Sequence, residues 1–483
     1  MKSSKFNPKF PSDFSEPEIA AAMTLFAKIM SIKAHQFFGG MTQVTPKVPV
    51  GQLGLFNFWY TPGVSAVSTA IREDNDASFN LSNRSNTVAI VTDSTRVLGD
   101  GDVTPPGGIG VMEGKALLMD QLGGIDAIPL CIDSRNEAGE NDPQKIIDFV
   151  RMLAPSVGAV NLEDISQPNC FLVLDTLQKK CDIPVWHDDA QGTACVTLAG
   201  LFNALRLADK NLDEVKIVLL GAGASNTTIA RLCITAGADP AKMILVDSRG
   251  GLHAGRDDLR DNKPFYRKWE LCEITNPDKI EDFDTAIQDA DVLIALSKPG
   301  PNTINPSQIR KMADKAIVFV CANPVPEIYP YAAKEAGAFI VATGRGDFPN
   351  QINNSLCFPG LLRGALMVRA KKITDAMAIT AAKALAEFSK NKGINPEKII
   401  VTMNDIDVFS HIAASVAMQA IEDGVARTNI TWTRARETAQ ARIKHSRDIA
   451  DLLFQNGLIE NIPDVMISTA LQQTIETIRA KRK

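Results

Sequence analysis

The sequence predicts an α/β fold of two domains followed by C-terminal helices. Two series of short apolar runs alternate with helical patterns, and a long helical pattern at residues 190–208 separates the two series. Strands that alternate with helices are typical of mostly parallel sheets covered by helices. The chain has 483 residues, more than one ordinary hydrophobic core supports. We therefore expect one α/β domain at 1–190, a second at 191–427 and a helical tail at 428–483.

The first series of apolar runs begins at Thr87. Its four runs have the length of buried strands. They are TVAIVT (87–92), AIPLCI (127–132), VGAVNL (157–162) and IPVWH (183–187). The helical patterns between them lie near 111–123, 142–153 and 168–180. This order predicts a mostly parallel sheet in the first domain.

The second series begins at Val215 and gives the second domain the same α/β pattern. Its apolar runs are 215–220, 243–246, 292–296, 317–321 and 339–342. After Arg427 the chain becomes charged and helical. The tail is therefore predicted to add helices and no further sheet.

Composition and charge exclude several classes of protein. The net charge of -5 gives no electrostatic argument for binding nucleic acid or an anionic membrane. No apolar stretch approaches the roughly 18 residues of a membrane span. The eight cysteines are scattered singly, which favours a reducing compartment over a disulfide framework. With no signal-peptide core at the N-terminus, we expect a cytoplasmic protein that contacts neither nucleic acid nor membrane.

A glycine-rich turn follows the first apolar run of the second series. The segment GAGASN contains Gly221, Gly223 and Asn226, and a helical pattern follows it. In this context the first glycine makes a tight turn, and the second lets the backbone approach a pyrophosphate at the helix N-terminus. Asn226 stands where the usual fingerprint has a third glycine, so a turn that binds no nucleotide is the alternative. The whole pattern favours a Rossmann-type dinucleotide-binding domain.

Asp247 bears on the choice of nucleotide. It ends the next predicted strand, 24 residues after Gly223, where an acidic residue can bond the adenosine ribose hydroxyls. This position favours NAD. Arg249 and Arg256 follow closely and could instead pair with a 2′-phosphate, so NADP stays open.

Two pairs of carboxylates follow two successive predicted strands. Glu163-Asp164 comes after the run at 157–162, and Asp188-Asp189 comes after the run at 183–187. The carboxyl ends of parallel strands face a common crevice, and carboxylates that converge there repel unless a cation neutralises them. Oxygen ligands suit Mg²⁺ or Mn²⁺. Solvated loop residues or helix N-caps are the alternative for either pair alone, but two pairs at neighbouring strand ends favour a metal site.

Three further side chains could take part in chemistry at such a site. Beside a dication and partly desolvated, Lys115 would have a lowered pKa and could act as a general base. Tyr60 offers a phenol as an acid, and Arg96 offers a fork for a carboxylate. Each also has a plain structural interpretation: a solvated lysine, a core tyrosine, and an arginine paired with Asp93 or Asp100.

Taken together, these segments resemble those of the malic enzymes. The similarity runs from about residue 35 to residue 427. The segments that carry it are YTPGV (60–64), VMEGK (111–115), NLEDI (161–165), DDAQGTA (188–194), ANP (322–324) and ATGRGDFPNQINNSLCFPGLLRGAL (342–366). Asn226 departs from the family's pattern, and Arg96 matches its long members better than many short ones.

The resemblance implies metal-dependent oxidative decarboxylation of L-malate to pyruvate and CO2, with reduction of NAD or NADP. Lys115 would remove the hydroxyl proton of malate, and Tyr60 would reprotonate the enolpyruvate carbon. Asp188 would support the metal site. The implied ligands of Mn²⁺ or Mg²⁺ are Glu163, Asp164 and Asp189.

The resemblance also implies which residues bind substrate and cofactor. The residues that orient the carboxylates of malate would be Arg96, Asn323 and Asn354. The residues that bind NAD(P) would be Gly221, Gly223, Ala224, Ser225, Asn226, Asp247, Ser297, Asn323 and Asn353. We expect a homodimer or homotetramer with L-malate as its small-molecule partner.

Three other functions are weighed against this one. A malolactic-type lyase uses the same residues but retains its cofactor and releases lactate, so only the product separates the two. A non-catalytic NAD(P)-binding regulatory protein would lack Lys115, Tyr60 or a metal carboxylate, and all of these are present. A glutamate-type dehydrogenase needs neither acidic pairs nor a metal. Oxidative decarboxylation is the favoured hypothesis.

Overall fold

The computed structural model describes residues 8–97 and 99–482. The chain separates into two compact units: Val44–Ser446 is the larger, and Met1–Gln43 with Arg447–Lys483 is the smaller. Both sheets lie in the larger unit. This division does not test the predicted domain boundaries at residues 190 and 427, which stay predictions.

Strands and helices alternate along the chain. The described strands are β1 (Thr87–Thr92), β2 (Asp126–Cys131), β3 (Ala159–Leu162), β4 (Val185–His187), β5 (Ile217–Leu220), β6 (Met243–Asp247), β7 (Gly250–Gly251), β8 (Val292–Ala295), β9 (Ile317–Val320) and β10 (Ile340–Thr343). The described α-helices are α1 (Glu16–Phe38), α2 (Phe56–Trp59), α3 (Val64–Glu73), α4 (Ser78–Leu81), α5 (Ile109–Gly123), α6 (Pro143–Leu153), α7 (Asn169–Lys180), α8 (Thr193–Ala208), α9 (Ala224–Thr235), α10 (Asp257–Arg260), α11 (Tyr266–Ile274), α12 (Phe283–Ala286), α13 (Pro306–Ile309), α14 (Pro330–Glu335), α15 (Phe358–Met367), α16 (Asp375–Asn391), α17 (Asp407–Glu422), α18 (Trp432–Gln455) and α19 (Asp464–Ala480).

The first sheet has the strand order β2-β1-β3-β4, and every pair in it is parallel. All six residues of β1 are buried, as a central strand covered on both faces requires. β1 coincides with its predicted run, whereas β3 and β4 begin two residues later than predicted. Leu162 and His187, the last residues of β3 and β4, are paired. The two acidic segments therefore leave the sheet side by side.

The second sheet has the order β10-β9-β8-β5-β6-β7. β5 pairs with β6 on one side and β8 on the other, both parallel. Such a reversal of strand order leaves a crevice at the carboxyl end of β5, where dinucleotides bind in folds of this class. β7 was not predicted, because two glycines give no apolar run; it is the one antiparallel strand among the pairs described in this sheet.

α8 fixes the turn that carries the second acidic pair. The helix was predicted at 190–208 and is found at Thr193–Ala208, because a π-helical turn occupies Asp188–Gly192. Most of its residues are buried, as expected of a helix that is apolar all round. The buried amide of Asn203 donates to the carbonyls of Ala386 at 3.0 Å and Ile399 at 2.8 Å. These contacts anchor α8 in the core.

The smaller unit contains α1 and α19. Phe14, Ala22 and Ile478 form its buried cluster. The guanidinium of Arg482 lies 2.8 Å from Asp13 and 2.6 Å from Glu18. The predicted helical tail is present as α18 and α19, the second of which ends at Ala480, while Lys483 lies outside the described residues. In the described part of the chain, no helix has the length and apolar character of a membrane span.

Candidate active site

Three carboxylates converge at the carboxyl edge of the first sheet. Glu163 and Asp164 follow β3, and Asp189 follows β4, its parallel neighbour. Each offers one oxygen, and the three oxygens lie within 4.8 Å of one another. Glu163 and Asp164 are almost fully buried. The neighbouring strand ends thus bring together the two acidic segments.

A backbone bend at Asp164 lets adjacent carboxylates face the same point. Its φ of 53° lies in the left-handed region, which is costly for a residue other than glycine. The backbone N–H of Asp164 donates to Oδ2 of Asp189 at 2.7 Å. Asn161 Nδ2 donates to Oε2 of Glu163 at 2.8 Å. These hydrogen bonds orient the carboxylates of Glu163 and Asp189.

Asp188 faces Lys115. The Lys115 ammonium on α5 hydrogen-bonds to Oδ2 of Asp188 and lies 3.1 Å from Oε1 of Glu163. Trp186 Nε1 donates to the other Asp188 oxygen at 3.1 Å. The ring of Phe358 lies 4.5 Å from the Lys115 ammonium. Lys115 is therefore a buried amine held directly beside the three carboxylates.

Burial and neighbouring charges shift the pKa values in this centre. Burial raises the pKa of Glu163 well above its usual range, and Asp189 adds to the shift. Burial also raises the pKa of Asp188, although Lys115 opposes the shift. For Lys115, burial favours the neutral amine, but the surrounding carboxylates outweigh burial and raise the pKa. The lowered pKa expected for Lys115 rested on a neighbouring dication, whose charge would oppose that of the carboxylates, so it stays a prediction.

The donor set fits a hard divalent cation. Carboxylate oxygens are the protein ligands that Mg²⁺ and Mn²⁺ prefer. Glu163, Asp164 and Asp189 are the one described group of acidic, histidine or cysteine side chains with this spacing. Burial first, and then the neighbouring carboxylates, raise the pKa of Glu163, and Lys115 alone does not offset them. The residues present are therefore suited to hold Mg²⁺ or Mn²⁺.

Tyr60 lies apart from this buried centre. It follows α2, and its side chain is 70% exposed. Its hydroxyl makes no hydrogen bond within residues 8–97 and 99–482. The surrounding segment also exposes Leu53, Phe58 and Trp59. Tyr60 is thus neither the core tyrosine considered from the sequence nor a side chain bonded to the acidic centre.

The candidate substrate residues differ in whether they contact the acidic centre. The backbone N–H of Arg96 donates to the Asp164 carbonyl at 2.9 Å, and the Arg96 side chain is exposed. The ion pairs of Arg96 with Asp93 or Asp100 that the sequence allowed are absent from the described residues. Asn354 lies beside Gly192: a Cβ added at Gly192 would be 3.4 Å from the Cβ of Asn354. Asn323 is exposed, and no described contact joins it to the carboxylates.

The glycine-rich turn has the geometry of a nucleotide cradle. Gly221 has φ +95°, and a Cβ there would lie 2.5 Å from the Leu296 carbonyl oxygen, so the position requires glycine. A Cβ at Gly223 would meet nothing within 4 Å, which leaves the N-terminus of α9 open to a ligand. Ala224 and Ser225 begin α9. Ser225 Oγ donates to the Asp189 carbonyl at 2.9 Å and so links the turn to the acidic centre.

Asn226 replaces the third glycine of the fingerprint without opening the turn. Its side chain is fully buried, and Nδ2 donates to the carbonyls of Leu220 at 3.0 Å and Gly221 at 2.9 Å. The buried side-chain amide of Asn226 therefore stabilises the turn through these two hydrogen bonds. We place Asn226 as a support of the turn that a cofactor would approach.

The other candidate cofactor residues on loops are Ser297 after β8, Asn323 after β9 and Asn353 after β10. The Ser297 N–H donates to Oε1 of buried Glu327 at 2.8 Å, and the Ala322 N–H donates to Oε2 at 3.2 Å. Burial raises the pKa of Glu327, while these backbone N–H groups oppose the shift. Asn353 caps a short helical turn by accepting from the Ser355 N–H at 3.0 Å. Glu327 thus fixes the loops that carry Ser297 and Asn323.

Asp247 ends β6, and its carboxylate is bound by the guanidinium of Arg256. Arg256 Nη1 lies 3.1 Å from Oδ1 of Asp247, and Nη2 lies 3.2 Å from Oδ2. Arg256 also binds Asp258 through Nε at 2.7 Å. Arg249 reaches Asp258 at 3.1 Å with an exposed side chain. The acidic residue and both arginines considered for nucleotide choice therefore form one cluster.

Two family models match the chain. The model described as malic enzyme, N-terminal domain, matches residues 43–178, and the model described as malic enzyme, NAD binding domain, matches residues 190–421. The chain belongs to the malic enzyme family. The resemblance stated from the motifs is thereby confirmed.

Several malic enzymes are similar over most of the chain. The NAD-dependent malic enzyme of Geobacillus stearothermophilus is 42% identical over 404 residues, covering 83% of this chain and 81% of that protein. The bifunctional malic/malolactic enzyme of Bacillus subtilis (strain 168) is 39% identical over 401 residues, covering 83% and 94%. The crystal structure of Entamoeba histolytica malic enzyme superposes with a TM-score of 0.95 at 56% identity, covering 97% and 96%. The predicted two-domain α/β fold is confirmed.

Two residues that support the candidate site were not predicted from the sequence. Asn161, which holds Glu163, stands two residues before it on β3. Its place in the buried strand was the signal, because a buried amide must find a partner. Glu327, which organises two loops, follows the prolines of the segment NPVPE. A lone acid in a proline-rich loop usually indicates solvent exposure, so nothing local predicted its burial.

Proposed function

We propose that this chain catalyses the metal-dependent oxidative decarboxylation of L-malate to pyruvate and CO2 with reduction of NAD or NADP. The observation that carries the proposal is the convergence of Glu163, Asp164 and Asp189 beside the buried amine of Lys115. The hydrogen bond from Ser225 to the Asp189 carbonyl supports the proposal, because it joins the glycine-rich turn to the same centre. Membership of the malic enzyme family supports this activity.

Glu163, Asp164 and Asp189 would hold Mg²⁺ or Mn²⁺, and Gly221–Asn226 would hold the nucleotide. When bound, the cation supplies a Lewis acid for the C2 oxygen of malate, and the nicotinamide supplies the hydride acceptor. Lys115 accepts the proton of the C2 hydroxyl as the neutral amine. Asp188 then stabilises the charge of the Lys115 ammonium that forms and holds it in place.

Substrate orientation and the final proton transfer fall to residues around the centre. Arg96, Asn323 and Asn354 orient the carboxylates of malate through their donor groups. Tyr60 donates a proton to the methylene carbon of enolpyruvate, as the family resemblance implies. Since Tyr60 is exposed in the single chain, we expect assembly of the protein to cover it.

A malolactic outcome is the second candidate, because one relative at 39% identity is named a bifunctional malic/malolactic enzyme. Product analysis with L-malate, Mn²⁺ and either nucleotide separates the two reactions. We expect pyruvate and reduced nucleotide in equal amounts. Lactate without net reduction would instead select the lyase.

We propose NAD as the preferred nucleotide, and Asp247→Ser tests the proposal. Loss of the carboxylate removes an acceptor for the ribose hydroxyls and frees Arg256 for a 2′-phosphate. A hydrogen bond to a charged group contributes roughly 1.5–3 kcal/mol. The ratio of kcat/KM for NADP to that for NAD should therefore rise at least about tenfold.

The matched control for Asp247→Ser is Asp258→Ser, which also releases Arg256 but keeps the ribose acceptor. Its kcat/KM for NAD should stay close to the wild-type value. An unchanged nucleotide ratio in Asp247→Ser would refute the role of Asp247.

We propose a homodimer or homotetramer whose contacts cover the exposed apolar segment at residues 44–64. Contiguous exposed apolar side chains mark interaction surfaces, and Phe58 in this segment is 66% exposed. Sedimentation should give at least a dimer for the wild type and a smaller species for Phe58→Glu. Met152→Glu, at an exposed apolar position on α6, is the control and should sediment like the wild type. A monomeric wild-type protein would contradict the proposal.

We also propose a cytoplasmic location. The eight cysteines are all free thiols, and six of them are buried. This pattern is typical of proteins from a reducing compartment.

A further inference from the structure

A cavity outside the candidate active site lies near the acidic centre. Its volume is about 330 Å³, which suits a small metabolite. Residues of α7, α9 and α11, together with the start of α16, line it. No residue assigned above to the metal, the substrate or the nucleotide is among them.

The lining of this cavity carries excess positive charge. Four cationic side chains face two carboxylates; the cations are Lys179, Arg231, Arg267 and Lys372, and the carboxylates are Asp175 and Asp375. The Arg267 fork is occupied by Asp175 at 2.7 and 2.8 Å. Asp375 is likewise bound by Arg231. Lys179 and Lys372, by contrast, are exposed and make no hydrogen bond among the described side chains.

The cavity also presents hydrogen-bond donors without partners. Arg231 uses only Nη2, which donates to both oxygens of Asp375 at 2.9 Å. Thr227 is 1% exposed, and its hydroxyl has no hydrogen-bond partner among the described residues. Gln191 is 8% exposed, and its Nε2 makes no hydrogen bond in the part of the chain that the structure describes. Buried donors are normally satisfied, so the Thr227 hydroxyl indicates a missing acceptor, and the free nitrogens of Arg231 and Gln191 could bind the same ligand.

Gln191 connects the cavity to the acidic centre. It belongs to the turn Asp188–Gly192, and its Oε1 accepts from the His187 N–H at 3.0 Å. Gln191 therefore lines the cavity and also holds the last residue of β4. A ligand that binds Nε2 would act on the turn that positions Asp188 and Asp189.

We propose that this cavity is an effector site for a small dianion, either a dicarboxylate or a phosphorylated metabolite. Lys179 and Lys372 supply the uncompensated charge, and Arg231, Gln191 and Thr227 supply directional donors. Occupancy changes the kinetics of the acidic centre through Gln191. The regulatory part of the proposal rests on the proposed function, while binding itself does not.

Isothermal titration of the full-length protein with inorganic phosphate, pyrophosphate and succinate tests the site. At least one probe should bind the wild type, and which probe binds separates phosphate ligands from dicarboxylates. In the double variant Lys179→Ala/Lys372→Ala, loss of two charge-assisted contacts should raise that probe's Kd at least about tenfold. The matched variant Lys180→Ala/Lys371→Ala removes the adjacent exposed lysines, which do not line the cavity, and should bind like the wild type.

Two binding results would overturn the site: none of the three probes binds, or both double variants bind with equal affinity. The kinetic part is measured with malate at a saturating concentration of the probe. We expect KM or kcat to change in the wild type and in Lys180→Ala/Lys371→Ala, with no change in Lys179→Ala/Lys372→Ala. Binding without any kinetic change in the wild type would overturn the effector role. Loss of malate turnover in the absence of probe would count against the proposed function alone, since the titration needs no turnover.

Discussion

Replacing Asp189 by Asn will lower metal-dependent turnover of malate by at least about 100-fold, since even residues that only support a metal ligand cost 10–100-fold. The Asp189 carboxylate lies within 4.8 Å of the Glu163 and Asp164 oxygens and also accepts the Asp164 N–H at 2.7 Å. Asparagine keeps the shape and an acceptor oxygen but removes the anionic charge. The turn should therefore stay folded while affinity for the cation falls. Glu163→Gln should have the same effect for the same reason.

This prediction is checked by titrating Mn²⁺ into each variant and measuring activity at saturating Mn²⁺. Asp182→Asn is the matched control, because Asp182 is an exposed aspartate just before β4 and lies outside the centre. It should bind Mn²⁺ and turn over malate like the wild type. Wild-type Mn²⁺ affinity and activity in Asp189→Asn would refute its assignment as a ligand.

Replacing Lys115 by Ala will lower kcat by roughly 10²–10⁴-fold, the usual contribution of a positioned general base. Lys115 is buried and contacts both Asp188 and Glu163, so no solvent base can easily take its place. KM for malate should change much less than kcat, because Lys115 acts on the reacting proton. Steady-state kinetics with saturating Mn²⁺ and nucleotide measure the two constants separately.

Lys115→Arg separates a chemical role of Lys115 from a structural one. Arginine keeps a positive charge beside Asp188 but does not give up its proton at accessible pH. If Lys115 is a base, this variant should be as slow as Lys115→Ala while unfolding at a temperature nearer to that of the wild type. Near-normal kcat in Lys115→Arg would show that only the charge matters.

The fold could be predicted because its strands are buried on both faces and therefore read as continuous apolar runs. β1 matches its run residue for residue. β4 is shorter than its run, which begins with Ile183-Pro184, because proline cannot donate to a ladder. The start of α8 was misplaced because the π-helical turn Asp188–Gly192 runs directly into the helix, and its residues give no local signal that separates the two.

The candidate site was predictable in its residues but less so in their arrangement. Parallel neighbours explain why Glu163 and Asp189 meet. The sequence could not show that Asp188 turns toward Lys115, because adjacent residues differ in direction only through local backbone angles. It also could not show how many carboxylates surround the buried amine of Lys115 and act on its pKa. The exposure of Tyr60 likewise depends on packing that no local pattern encodes.

The central claim is that the three converging carboxylates make malate oxidation dependent on a divalent cation. It is tested most directly by removing metal from the purified protein with a chelator and supplying L-malate with NAD or NADP, before and after adding Mn²⁺. We predict no turnover before the addition, and equal amounts of pyruvate and reduced nucleotide after it. Equal turnover in the chelator, or no reduced nucleotide with either cofactor after Mn²⁺ is restored, would contradict the claim.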